Sequence, residues 1–146
     1  MEERTMNYFK PDMSPAQVNK ISMLGLAHIG DAVYELMVRA SLCESGHTAV
    51  YELHHLATGQ VNAPAQARAA EKILPMLDPD EAAIYRRGRN AHVNSVPHGS
   101  GIGQYHAATG LEALFGWLYL LGRTDRLAQL FSVIKGGASD RGQQEV

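Results

Sequence analysis

Two carboxylates stand in surroundings that carboxylates seldom occupy. Asp31 lies in residues 24–39, LGLAHIGDAVYELMVR, where His28, Asp31, Glu35 and Arg39 recur at spacings of three, four and four. On a helix those spacings put all four on one face, while Leu24, Leu26, Ile29, Val33, Leu36, Met37 and Val38 cover the remainder. Gly25 and Gly30 sit inside the same stretch, and each costs a helix roughly 1 kcal/mol relative to alanine. Two readings account for that cost: a crossing of two helices at small residues, or the close approach of another backbone or a ligand at Asp31. Glu112 lies in residues 105–121, YHAATGLEALFGWLYLL, and is the only acid between His106 and Arg123. An ionised carboxylate among leucines and aromatics loses its hydration, so something must compensate Glu112.

The elements that hold these acids can be read from their start and stop signals. Residues 1–13 lack periodicity and read as a loose arm, after which Ser14-Pro15-Ala16-Gln17 supplies a cap, a proline at the first helical position and a glutamine two residues further on. The helix bearing Asp31 is expected to stop near Gly46. Thr48 is the expected cap of a helix through Thr58, and Pro64 sets the start of the next, through Leu77, close to Asn62. Asp78-Pro79-Asp80-Glu81 is the clearest start signal in the chain, opening a helix that ends near Arg89 or Asn90. Residues 91–103, AHVNSVPHGSGIG, read as a long loop of the kind that carries function. The helix bearing Glu112 then runs from Tyr105 to Gly122, and Thr124 caps a last helix over residues 125–135. The tail from Gly136 reads as disordered. No strand pattern or repeat appears, so the expected fold is all-α, a single-domain helical bundle.

At 146 residues and 45% hydrophobic composition the chain fits one domain with its own core and leaves no room for a second. The net charge of −2 excludes a globally basic nucleic-acid binder, so charge has to be judged locally. One cysteine, Cys43, excludes an internal disulfide, fits a reducing compartment and is expected to be buried. No signal peptide is visible, and residues 107–121 are too short to span a membrane and carry Glu112, so cytoplasmic residence is expected. Seven histidines invite a zinc reading, but none forms H-E-x-x-H and a lone cysteine completes no recognisable zinc site.

The run G-D-A-V-Y-E at residues 30–35, R-G-R-N-A at 87–91 and L-E-A-L-F-G-W-L-Y-L at 111–120 resembles, in that order, the ribonuclease III catalytic domain. The similarity is closest to its short form, Mini-ribonuclease III, which lacks a double-stranded-RNA-binding domain. The resemblance implies a metal-dependent endoribonuclease that cleaves double-stranded RNA, with Asp31 and Glu112 as catalytic acids and ligands of Mg2+, for which Mn2+ can substitute. Magnesium suits such a pair, because it takes oxygen ligands, keeps several waters and is usually held by one or two carboxylates plus phosphate. Larger family members carry further acids at the places of Leu24, Ala27 and Thr109. That departure leaves one well-held ion, or a second held mainly by substrate, with Thr109 able to orient a water. Glu35 is either a further ligand or, in the favourable Glu-before-Arg order, a helix-face partner of Arg39.

Arg86, Arg87 and Arg89, with Asn90 and His92, form the only dense basic cluster. At a helix end such a cluster can simply complement the dipole; the resemblance makes it an RNA-binding element that grips phosphates. The resemblance also implies a homodimer, with the apolar surface of the Asp31 helix as interface and His28 where relatives have an aromatic plug. It further implies trimming of large-subunit ribosomal RNA precursors, with a ribosomal protein as possible helper. Two other readings stay open: a catalytically idle RNA-binding or ribosome-assembly module on the same fold, and an all-α interaction domain whose acids are structural.

Overall fold

Short-range hydrogen bonds start the helices. The Ser14 hydroxyl accepts from the Gln17 N–H at 3.2 Å while the Gln17 side chain accepts from the Ser14 N–H at 2.9 Å, and α1 (Pro15–Val18) begins there. The computed structural model describes residues 5–91 and 101–136. Among them follow α2 (Met23–Glu44), α3 (Val50–Val61), α4 (Ala63–Ile73), a 3-10 turn (Leu74–Met76), α5 (Pro79–Arg89), α6 (Ile102–Leu120) and α7 (Thr124–Ile134). The fold is all-α, as expected. Asp78 and Glu81 repeat the reciprocal capping pair at the start of α5, and Asn62 caps α4 through the Ala65 N–H.

Several boundaries differ from the sequence reading for local reasons. Ala49, not Thr48, precedes α3, with no side-chain cap. Helix α4 gives way to the 3-10 turn at Leu74, where Pro75 has no N–H to continue the ladder. Helix α6 starts at Ile102 instead of Tyr105, because Gly101 serves as its cap and its N–H reaches the Gln104 side chain. Thr124 is the first residue of α7 and Arg123 the cap, its guanidinium resting 4.8 Å over the Trp117 ring. Cys43 is exposed, one position round the helix from buried Leu42, which corrects the expectation of burial. The arm is docked where it is described: the Met13 N–H donates to the Leu120 carbonyl at 3.0 Å. Residues 1–4 of the arm, 92–100 of the expected loop and 137–146 of the tail lie outside the described residues.

The core is organised around α6, which is apolar over most of its circumference and accordingly surrounded. Leu111, Ala113, Leu114, Phe115 and Leu118 are wholly buried, with α2, α4, α5 and α7 packed about them. Two glycine contacts set how closely its neighbours come. A Cβ at Gly30 would stand 1.6 Å from the Glu112 carbonyl oxygen, and one at Gly116 would stand 2.0 Å from that of Leu26, so α2 and α6 touch backbone to backbone. On another side Gly88 of α5 meets Gly110 and Ala113 of α6. Arg126 of α7 ties down the start of α5: its Nε and Nη2 donate to the two Glu81 carboxylate oxygens at 2.8 and 2.7 Å, and Nη2 also reaches the Met76 carbonyl. Buried Glu81 thus carries both a helix cap and an ion pair.

The glycine contacts yield a paired expectation. Gly116→Ala forces the helices apart and should lower stability by about 3 kcal/mol or more. Gly59→Ala, in α3 with open space around it, should raise stability by about 0.5–1 kcal/mol. Thermal or urea unfolding of the two variants checks both signs.

Candidate metal centre

The packing of Gly30 on the Glu112 backbone dictates where the two acids go. Asp31 is the next residue along α2, so its side chain emerges beside Glu112 at the crossing, exposed on α2, whereas Glu112 is half-buried. The two carboxyl groups lie within hydrogen-bonding reach of each other. Burial first, and then the hydrogen bond and the charge of Asp31, push the Glu112 carboxyl up to about 8, against a smaller lowering by Gln66. In the bare protein the pair therefore retains a proton at neutral pH.

Gln66 is the participant that sequence reading missed. It lies on α4 with only 3% of its surface exposed, and its Nε2 donates to the Val61 carbonyl at 2.9 Å and to Glu112 Oε2 at 3.4 Å. Its Oε1 is buried without a partner. A signal was present in the sequence: Gln66 falls on the same helical stripe as Ala69, Ala70 and Ile73, all buried, where a polar side chain is out of pattern.

The other predicted residues divide. Glu35 is paired with Arg39 at 3.1 Å on the exposed face of α2, which assigns it to the helix surface. Thr109 is buried and its hydroxyl donates to the Tyr105 carbonyl at 3.0 Å, so its proton is committed to the backbone and not to a water. His28 is exposed on α2. Arg86, Arg87, Arg89 and Asn90 are exposed at the end of α5 around buried Gly88, the residue that packs on Gly110 and Ala113 beside Glu112. The Arg89 guanidinium lies 5.9 Å over the Tyr85 ring, which leaves it presented to solvent. His92 lies outside the described residues.

These groups fit a hard, hydrated divalent cation. Two carboxylates forced together need a positive charge between them, which a proton supplies in the bare protein and a metal ion would supply better. Among the described residues no third His, Cys, Asp or Glu joins the pair, leaving the two-carboxylate, water-rich shell that magnesium accepts. The Gln66 amide nitrogen adds a donor on the buried side of Glu112.

The raised carboxyl has a consequence for stability. From about 4.5, its ordinary value, to about 8 the folded state keeps a proton that the unfolded state has released, so metal-free stability declines as pH rises through that window. Glu112→Gln removes this loss. The variant's unfolding temperature relative to the parent should climb from about pH 5 to about pH 8 without metal, and added Mg2+ should stabilise the parent alone.

Comparison with known proteins agrees with this geometry. Residues 24–123 match the family described as Ribonuclease III domain. The Mini-ribonuclease 3 of Desulfitobacterium hafniense (strain Y51) is 41% identical over 131 residues, covering 88% of this chain and 83% of the relative. That of Symbiobacterium thermophilum is 43% identical over 107 residues, covering 73% and 82%. A crystal structure of a protein from Fusobacterium nucleatum superposes with a TM-score of 0.73 at 30% identity, covering 80% of this chain and 94% of that one. The matched span contains both acids, the glycine crossing that joins them and the arginine cluster, and the chain belongs to the ribonuclease III domain family, among its Mini-ribonuclease 3 members.

Proposed function

We propose that this protein is a divalent-cation-dependent endoribonuclease that cleaves double-stranded RNA as a homodimer. The observation that carries the reading is the convergence of Asp31 and Glu112 at the α2–α6 crossing, in a chain whose relatives are named Mini-ribonuclease 3. Asp31 and Glu112 would hold Mg2+, or Mn2+ in its place. When bound, such an ion supplies Lewis-acid polarisation of a phosphoryl oxygen and a water acidified enough to attack it. The chain's own contribution is to keep both carboxylates on rigid helices, so that neither reorganises when the cation and phosphate arrive. No side-chain nucleophile is required, and the products are a 5′-phosphate and a 3′-hydroxyl.

Substrate is held by the end of α5. Arg86, Arg87 and Arg89 with Asn90, joined by His92, grip backbone phosphates, which gives affinity without sequence information. The packing of Gly88 beside Glu112 brings this cluster to the flank of the helix that carries the acid. The physiological substrate on this reading is a large-subunit ribosomal RNA precursor in the cytoplasm, presented with or without a ribosomal protein.

A single domain of this size covers too little duplex to cut both strands. Ile29, Val33, Leu36 and Met37 line one apolar groove of α2, and Leu127 of α7 faces them across it. Leu36 is 56% exposed there, an arrangement suited to burial against a second copy. Two sites related by a twofold axis would then address the two strands.

The decisive measurement is incubation of the purified protein with a perfect RNA duplex, with and without Mg2+. Cleavage should require the ion, and Glu112→Gln should reduce it roughly a thousandfold or more while duplex binding stays within a few-fold. Cleavage that persists in the variant would sink the assignment; binding with no cleavage by the parent would favour an idle RNA-binding module. Separately, Leu36→Glu should convert the dimer to a monomer by light scattering and abolish paired cutting of the two strands.

A further inference from the structure

We infer that Gln66 is a positioning residue of the cation site, its amide nitrogen holding the Glu112 carboxylate. The inference rests on the reading of Asp31 and Glu112 as the cation's ligands. Two observations carry it.

The orientation of the amide is fixed by its neighbours. Nε2 faces the Val61 carbonyl at 2.9 Å and Glu112 Oε2 at 3.4 Å. The Val61 carbonyl can only accept, so the amide nitrogen must face it, and that nitrogen has a second hydrogen to give Glu112. A flipped amide would set its oxygen against the Val61 carbonyl oxygen. The nitrogen therefore clamps one oxygen of Glu112 to the corner between α3 and α4, where Asn62 caps α4.

The same orientation leaves Oε1 buried with no donor. Leaving a buried acceptor unsatisfied is destabilising, and a small apolar residue on this stripe, like Ala69 or Ala70, would avoid that. The unsatisfied atom is not scattered elsewhere in the core: it shares an amide with the nitrogen that touches Glu112. A group that orients a ligating carboxylate from behind typically changes metal affinity 10–100-fold when removed.

Gln66→Met keeps length and volume and removes both polar atoms. With the full-length protein and MgCl2 alone as probe, the concentration giving half-maximal thermal stabilisation should rise at least about tenfold. Metal-free stability should change little, because the substitution removes one unsatisfied acceptor, Oε1, and leaves another, the Val61 carbonyl. In the duplex assay the Mg2+ requirement should shift by a similar factor, with the rate at saturating Mg2+ changing much less. An unchanged Mg2+ midpoint in a folded variant overturns the inference while leaving the nuclease reading intact; absence of any Mg2+ stabilisation in the parent overturns both. Should Gln66→Met not fold, the side-chain amide resonances of Gln66 in the parent decide the matter. They should move during Mg2+ titration with the same midpoint as the thermal shift, and resonances that stay still would count against the role.

Discussion

The contact on which the structure turns is backbone against backbone: Gly30 of α2 lies on the Glu112 carbonyl, and Gly116 of α6 lies on that of Leu26. Helices normally meet through side chains, which hold their axes apart. Glycine at both places removes that spacer, and α2 and α6 close to a distance at which residues adjacent to the contact become neighbours. Asp31 follows Gly30 directly, so the position of one acid is tied to the backbone of the other. The helical penalty of two interior glycines is the cost of this geometry. A site defined by main-chain contact between two core helices is held more rigidly than one assembled on loops.

Around that contact the same residue type is placed in two opposite environments. Glu81 is buried, yet two guanidinium hydrogen bonds from Arg126 and the Asp78 N–H outweigh desolvation and hold its carboxyl below the usual range. Glu112 is less deeply buried, yet it faces another carboxyl and only one weak amide donor, and desolvation wins. The first glutamate is satisfied within the fold and fastens α5 to α7. The second is left with an unmet need for positive charge, the electrostatic demand on which the candidate cation site rests. The Glu81–Arg126 pair in turn keeps α5 seated, so that Arg86, Arg87 and Arg89 stay on the flank of α6.

What residue order determined by itself was local. Ser14 with Gln17, Asp78 with Glu81, and Asn62 before a proline each act within three residues, and the helices they open stand close to where those signals put them. The solitary acid in an apolar helix and the glycines beside Asp31 pointed to the candidate site for the same reason, since a polar group out of pattern is visible without coordinates. Of the two explanations for those glycines, helix crossing and close approach at Asp31, Gly30 satisfies both at once, whereas Gly25 meets only Ile21 and Ser22.

Only the tertiary structure decided who answers whom across distance. Gln66 reaches Glu112 over 46 residues, and Arg126 reaches Glu81 over 45. No short-range pattern encodes such partners, because they are chosen by how whole helices pack. The docking of the arm on Leu120 and the exposure of Cys43 belong to the same class. Capping is decided by the few residues that make the hydrogen bond; the compensation of a buried charge is decided by the entire core that surrounds it.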